Sequence, residues 1–121
     1  MCEDKITYLI IGKAYEVYNT LGYGFMETVY SNSLFLELQS IGLDCQKEYP
    51  LEVYYKDCLV GTYRADLVVR SKIIVELKVA TSICNEHCFQ TKNYLKAAKL
   101  KTGLLLNFGP RKLDIKRCFQ R

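Results

Sequence analysis

Apolar residues recur at steps of three and four near the start of the chain, which predicts an amphipathic helix over residues 4–21. The apolar stripe of this helix consists of Ile6, Ile10, Ala14, Val17 and Leu21. Glycines interrupt the pattern after this helix, and a second helix is predicted from about residue 26 to residue 41, where Gly42 ends it. A third helix is predicted over about residues 85–100.

Alternating apolar and polar positions predict five strands. In the first strand, within residues 43–55, the odd-numbered side chains from 45 onward are predicted to share one face, and Pro50 indicates an edge strand or a bulge. The remaining predicted strands cover residues 59–69, 73–79, 103–108 and 112–119. The resulting order, ααβββαββ, predicts a single α/β domain over residues 1–121, with helices packed on a central mixed sheet.

The second and third strands form a predicted hairpin that carries acidic residues in an apolar background. Residues 70–72 are its predicted turn, and symmetry about the middle of that turn places Asp66 opposite Glu76. The same register places Arg64 opposite Lys78. Side chains alternate between faces, so Asp66, Glu76 and Lys78 are expected on one face. Two facing carboxylates repel each other, which predicts a divalent cation between them.

This set of side chains suits phosphodiester hydrolysis. Magnesium prefers oxygen ligands and usually takes one or two carboxylates, a role for Asp66 and Glu76, with the Leu77 carbonyl as a third oxygen. Lys78 would orient or deprotonate the attacking water, or stabilise the charge that gathers on the phosphate. The alternative is that both acids are exposed strand residues and that Lys78 pairs with Glu76.

Three further polar residues are candidates for the same site. Glu27 lies near the start of the second predicted helix, where the helix dipole favours an acid even without a function. Gln90 and Tyr94 are four residues apart and share a face of the third helix. His87 lies one turn earlier, and a helix-capping or surface role is favoured for it.

Charge is distributed unevenly along the chain. The net charge is +4, but residues 1–91 have a balance of −4 and residues 92–121 a balance of +8. Such a basic end suits a polyanion partner, and a solvated basic face without a partner is the alternative. The candidate phosphate-binding residues are Arg64, Lys92, Lys96, Lys99, Lys101, Arg111, Lys112, Lys116 and Arg117.

The first residues contain no basic leader followed by a long apolar run, so a cytoplasmic protein without a membrane span is expected. The six cysteines are therefore expected to be reduced thiols. Cys84 and Cys88, with His87 between them, form an incomplete metal–thiolate pattern, for which free thiols are the default.

Five motifs occur in order along nearly the whole chain. They are Gly24-x-x-Glu27-x-x-Tyr30, Tyr63-Arg64-Ala65-Asp66-Leu67, Ile74-Val75-Glu76-Leu77-Lys78, Asn93-Tyr94-Leu95-Lys96-Ala97 and Gly103-Leu104-Leu105-Leu106-Asn107-Phe108-Gly109. In these motifs the chain resembles the GxxExxY proteins of the PD-(D/E)XK nuclease superfamily. The resemblance implies a restriction-endonuclease-like fold, a mixed β-sheet flanked by helices.

The resemblance also implies the roles of individual residues. The implied catalytic residues are Asp66, Glu76, Lys78, Glu27, Gln90 and Tyr94. The implied metal ligands are Glu27, Asp66, Glu76 and the Leu77 carbonyl. Relatives often have a histidine where this chain has Tyr18, so no role is carried over to that position.

Two main functions remain open at this point, and a third, weaker option is a purely structural subunit. The first is a Mg²⁺- or Mn²⁺-dependent nuclease acting on DNA. The second is a module that binds nucleic acid or a protein without cutting it. A single domain offers one active site, so cutting both strands of a duplex at once would need a homodimer or a protein partner.

Overall fold

The computed structural model describes residues 1–120 and contains three helices and five strands. The elements are α1 (Glu3–Leu21), α2 (Glu27–Ser40), β1 (Cys45–Tyr55), β2 (Cys58–Val69), β3 (Ile73–Lys78), α3 (Asn85–Ala98), β4 (Thr102–Phe108) and β5 (Leu113–Phe119). This order confirms the predicted ααβββαββ arrangement. No helix in the described residues combines the length and apolar character needed to cross a membrane.

The five strands form one mixed sheet in the order β1-β2-β3-β4-β5. β3 and β4 are parallel and are connected through α3, whereas the other neighbouring pairs are antiparallel. β1 is an edge strand, as Pro50 indicated. The chain therefore has the restriction-endonuclease-like architecture, with a mixed sheet between helices.

Two apolar clusters cover the two faces of the sheet. The predicted stripe of α1 packs with α2 against one face, through side chains such as Ile10, Leu34 and Leu77. On the other face, α3 packs through Leu95 against Ile74. The site elements β2 and β3 are thus held between both helical layers.

The β2–β3 hairpin has the predicted register. Val69 pairs with Ile73 and Leu67 pairs with Val75, so the hairpin is symmetric about Ser71. The turn is tight, since Arg70 and Ser71 both have positive φ. The backbone ladder stops at Leu67, however, so the expected pairs of Asp66 with Glu76 and of Arg64 with Lys78 do not continue it.

The prediction that the odd-numbered residues of β1 share one face is wrong. Cys45 packs in the cluster under α1 and α2, whereas Leu51 packs in the cluster under α3. The change occurs at Glu48, which has a left-handed backbone (φ 49°) and is skipped in the pairing with β2. Such an irregularity re-aims the side chains that follow it. On β2 the facing changes in the same way, between Ala65 and Leu67.

Candidate active site

The site begins where β2 and β3 separate. The Asp66 amide donates to Glu76 Oε2 at 2.6 Å, and the Leu77 amide donates to Asp66 Oδ2 at 2.8 Å. Each acid is thus held by the backbone of the opposite strand, in place of a ladder hydrogen bond. No buried side-chain oxygen or nitrogen of the described residues lacks a partner, so the second oxygen of each carboxylate faces accessible space.

Burial and mutual repulsion disfavour ionisation of these two acids. Glu76 is only 4% exposed, and burial, followed by the charge of Asp66, raises its pKa to about 8. Burial also raises the pKa of Asp66, and the negative charges of Glu27 and Glu48 add to this effect. The Leu77 amide and the Lys78 charge oppose the rise. A bound cation would relieve the unfavourable charge.

Lys78 extends from the end of β3 towards α3. Its Nζ donates to Gln90 Oε1 at 3.4 Å, and it forms no ion pair within the described part of the chain. The amine therefore lies beside the acids without being neutralised by a direct contact with Glu76. A lysine in this position is available to a phosphate or to a water molecule.

The third helix adds Tyr94 to the same region. Tyr94 is 8% exposed, and burial, followed by the charges of Glu76 and Asp66, raises its pKa. Its ring lies 5.6 Å from the ring of Tyr63 on β2. Gln90 and Tyr94 thus project from one face of α3 towards the acids, as their spacing indicated.

His87 has a different position and caps the third helix. Its Nδ1 accepts a hydrogen bond from the Cys84 amide at 3.2 Å, which matches the capping role favoured for it. All six cysteines are free. No three His, Cys, Asp or Glu side chains among residues 1–120 are arranged as a preformed metal-binding group, which holds for Cys84 and Cys88 and equally for the set Glu27, Asp66 and Glu76.

Tyr30 anchors the loop before α2. Its hydroxyl donates to the Gly22 carbonyl at 2.5 Å and accepts from the Phe25 amide at 3.2 Å. Its ring stacks on Phe108 of β4, with 4.4 Å between the centroids. Gly24, within the same loop, has φ 120°, a conformation that favours glycine.

This anchored loop positions Glu27, the first residue of α2. Glu27 is exposed, and its charge reaches both Asp66 and Glu76. The spacing Gly24-x-x-Glu27-x-x-Tyr30 therefore has a physical explanation. Glycine permits the loop, tyrosine fastens it to the sheet, and the acid lies beside the site. The anchoring function of Tyr30 was not found by sequence reasoning.

Sequence reasoning also missed Glu48 and Asn107. Glu48 lies opposite Asp66 in the β1 irregularity, and Pro50 was the signal that pointed to it. Asn107 is fully buried beside Lys78 on β4, and its side chain bonds to both the amide and the carbonyl of Ala80 at 2.9 Å. These bonds fix the chain where it leaves β3. The sequence signalled a role for Asn107, because it is a polar residue within the apolar run of β4.

The basic residues do not form one patch. Lys96 lies beside Tyr94 in a groove along α3, and Lys92 is close enough to Cys118 of β5 for its charge to act on that thiol. Arg64 is exposed on β2.

Lys116 and Arg117 lie in β5, and four further candidate cations lie beyond the two ends of β4. Arg111 and Lys112 follow the end of β4 that pairs with Lys78, so they lie at the same end of the sheet as Lys78, and Lys112 pairs with Asp114 at 3.3 Å. Lys99 and Lys101 precede its other end. Basic residues that are close together in the sequence therefore lie at two different ends of the sheet.

The donor set fits a hard divalent cation. Asp66 and Glu76 present two carboxylates, which is the number that Mg²⁺ usually takes, and their outer oxygens are accessible. Glu27 lies close enough to act on both. One oxygen of each acid accepts a hydrogen bond from a backbone amide, which holds the carboxylate in place. Each acid therefore offers one oxygen to a cation.

Comparison with known proteins agrees with this architecture. The sequence pattern that describes the PD-(D/E)XK nuclease superfamily matches residues 4–118. Among solved structures, the crystal structure of SSO0001 is similar, with a TM-score of 0.61 and 20% sequence identity over 98% of this chain. This chain spans 60% of that protein's length, and the similarity concerns the fold. No curated protein matches. From the match over nearly its whole length, the chain belongs to the PD-(D/E)XK nuclease superfamily.

Proposed function

We propose that the protein is a Mg²⁺- or Mn²⁺-dependent nuclease that hydrolyses phosphodiester bonds of DNA. The observation that carries this proposal is the pair Asp66 and Glu76, each held by the opposite strand's backbone and each with one accessible oxygen beside Lys78. Keeping a buried Glu76 beside a half-buried Asp66 costs stability, so a purely structural role does not account for them.

The residues have distinct tasks in this proposal. Asp66, Glu76, Glu27 and the Leu77 carbonyl would hold the cation, which when bound supplies an activated water and neutralises phosphate charge. Lys78 Nζ would hold the attacking water or the phosphate oxygen, while Gln90 keeps that amine in place through the bond of 3.4 Å. The Tyr94 hydroxyl would donate a hydrogen bond to the reacting phosphate.

Substrate would approach from the end of the sheet where β3 and β4 finish. Arg111 and Lys112 lie at this end and would contact the phosphate backbone. Contacts of this kind are independent of sequence and weaken as salt is raised. Cutting both strands of a duplex would take two copies of the domain, or two nicks in succession.

Cleavage of end-labelled DNA with Mg²⁺ or Mn²⁺ tests the proposal. The Lys78→Ala protein is expected to lose about 10²-fold or more of the rate, because one charge-stabilising group is removed. Lys5→Ala is the matched control, since Lys5 is an exposed lysine on α1. Both proteins should have the circular dichroism spectrum of the parent, which shows that they are folded.

The outcome separates the two candidate functions. Products that need the metal, disappear with EDTA and disappear in Lys78→Ala establish the nuclease. Equal cleavage by Lys78→Ala and Lys5→Ala would remove Lys78 from the mechanism. DNA that is retained but never cut, with either metal, would favour the binding module.

A further inference from the structure

A groove of about 720 Å³ runs between α3 and the ribbon formed by β1 and β2. Its volume is within the range of about 300–1,000 Å³ that is common for ligand sites. Four of its lining residues are aromatic. They are Tyr54, Tyr63, Phe89 and Tyr94. The groove thus differs from the acidic site, where carboxylates dominate.

Three of these aromatic residues are unusually exposed. Phe89 is 62% exposed, Tyr54 is 58% exposed and Tyr63 is 50% exposed. Phe89 is on the first turns of α3, across the groove from the two tyrosines of the ribbon. Exposing several neighbouring aromatic side chains to water is unfavourable in free energy, and such apolar patches mark binding surfaces.

The groove is continuous with the candidate active site. Gln90 and Tyr94 line it, and the same two residues project towards Lys78 and the acids. Tyr63 joins the two regions, because its ring lies 5.6 Å from that of Tyr94. A ligand in the groove therefore reaches the reacting centre without crossing another element.

The polar lining suits a chain that carries both flat rings and negative charge. Lys96 lies on the same lining as the aromatic rings and provides a cation for a phosphate, and one acid, Glu86, also lines the groove, at the start of α3. Asn93 adds an amide with both donors and an acceptor. Aromatic faces beside a lysine are the elements with which proteins bind single-stranded nucleic acid, since each unpaired base offers a face for stacking.

We propose that this groove binds unpaired bases of a single DNA strand, stacked on Phe89 and Tyr63, and leads that strand to the acids. This inference deepens the proposed function by defining the substrate as single-stranded or locally unpaired DNA. In a duplex the bases stack on one another inside the helix, so their faces are not available to these rings.

Fluorescence anisotropy with a labelled oligothymidine tests the groove, with EDTA present so that no cleavage occurs. Stacking on an aromatic ring contributes about 1–3 kcal/mol per base, so Phe89→Ala is expected to weaken binding by roughly 5- to 150-fold. Tyr63→Ala should do the same. Tyr8→Ala is the matched control, because Tyr8 is 74% exposed on α1, away from the groove.

A second probe isolates the bases. An abasic strand of the same length keeps the phosphates, so parent and Phe89→Ala proteins should bind it equally. A blunt-ended duplex, in which every base is paired, should likewise show no loss in Phe89→Ala. Equal affinity of Phe89→Ala and Tyr8→Ala for oligothymidine would overturn the inference, as would an equal loss on the abasic strand.

These results do not depend on catalysis. Failure of the nuclease proposal would appear as the absence of cleavage, while the loss of binding in Phe89→Ala would still support the groove. Cleavage that disappears in Lys78→Ala, together with unchanged binding in Phe89→Ala, would support the nuclease and refute the groove.

Discussion

Replacing Glu76 by glutamine is expected to stabilise the metal-free protein at neutral pH. Glu76 is 4% exposed, and its amide-bonded oxygen accepts from the Asp66 backbone at 2.6 Å. Glutamine has nearly the same shape and still accepts that hydrogen bond, but it carries no charge. The substitution therefore replaces a buried group that must take up a proton on folding with one that stays neutral, while retaining the packing.

The size of the effect follows from the pKa of Glu76, which rises from 4.5 to about 8. Between these values the native protein binds the proton more strongly than the unfolded chain does, so raising the pH through this window destabilises the native state. One pKa unit corresponds to about 1.4 kcal/mol, so the wild-type protein is destabilised by about 3 kcal/mol at pH 7. Below pH 4.5 the effect is absent.

Thermal unfolding in EDTA at pH 5 and pH 7.5 measures this difference. The wild-type protein should lose stability over this interval, whereas Glu76→Gln should lose much less. For a domain of this size, about 3 kcal/mol corresponds to a shift in Tm on the order of 10 °C. Glu52→Gln, a change at an exposed acid on β1, should behave as the wild type. Added Mg²⁺ at pH 7.5 should stabilise the wild type and have little effect on Glu76→Gln.

An identical pH dependence in wild type and Glu76→Gln would refute the reasoning. It would mean that Glu76 is ionised in the metal-free protein at no cost, so burial and Asp66 would not raise its pKa. If Glu52→Gln reduces the dependence of Tm on pH as much as Glu76→Gln does, the effect would come from surface charge in general.

Other substitutions test the supports of the site. Tyr30→Phe removes the hydroxyl that binds Gly22 and Phe25 and should cost about 1–3 kcal/mol in urea unfolding, with a lower cleavage rate because Glu27 is less well placed. Asn107→Ala removes both buried bonds to Ala80 and should cost roughly 2–4 kcal/mol; full stability in the same assay would show that these bonds contribute little. Arg111→Ala should lower the slope of log affinity for DNA against log salt by about 1, and an unchanged slope would mean that it touches no phosphate.

The local pattern of apolar and polar residues was sufficient to predict the helices and strands, and one feature beyond them, the register of the β2–β3 hairpin. The α1 stripe marks the face that packs on the sheet, so its period identifies the helix. In β3 nearly every side chain is buried because apolar clusters cover both faces, and its run of apolar, β-branched residues marks the strand. The turn at residues 70–72 sets the hairpin register, because a tight turn leaves only one symmetric pairing. The sequence therefore predicted that Asp66 and Glu76 lie close together, although the ladder ends before them and each bonds to the other strand's backbone.

The details of the site depended on contacts between distant segments. The change of facing at Glu48 and Asp66 occurs where β2 continues to pair with β1 after its ladder with β3 has ended, and Pro50 alone did not locate it. Glu27 approaches the acids because Tyr30 stacks on Phe108, a residue of β4.

The sequence by itself determined the helices, the strands, the hairpin register and the acid–acid–lysine set, since each follows from short-range periodicity and turn chemistry. Only the tertiary structure decided how the strands are ordered, which basic residues lie near the acids and where the aromatic groove forms. Those features depend on packing between segments far apart in the chain, and their geometry is set by the whole core and by no single stretch of residues.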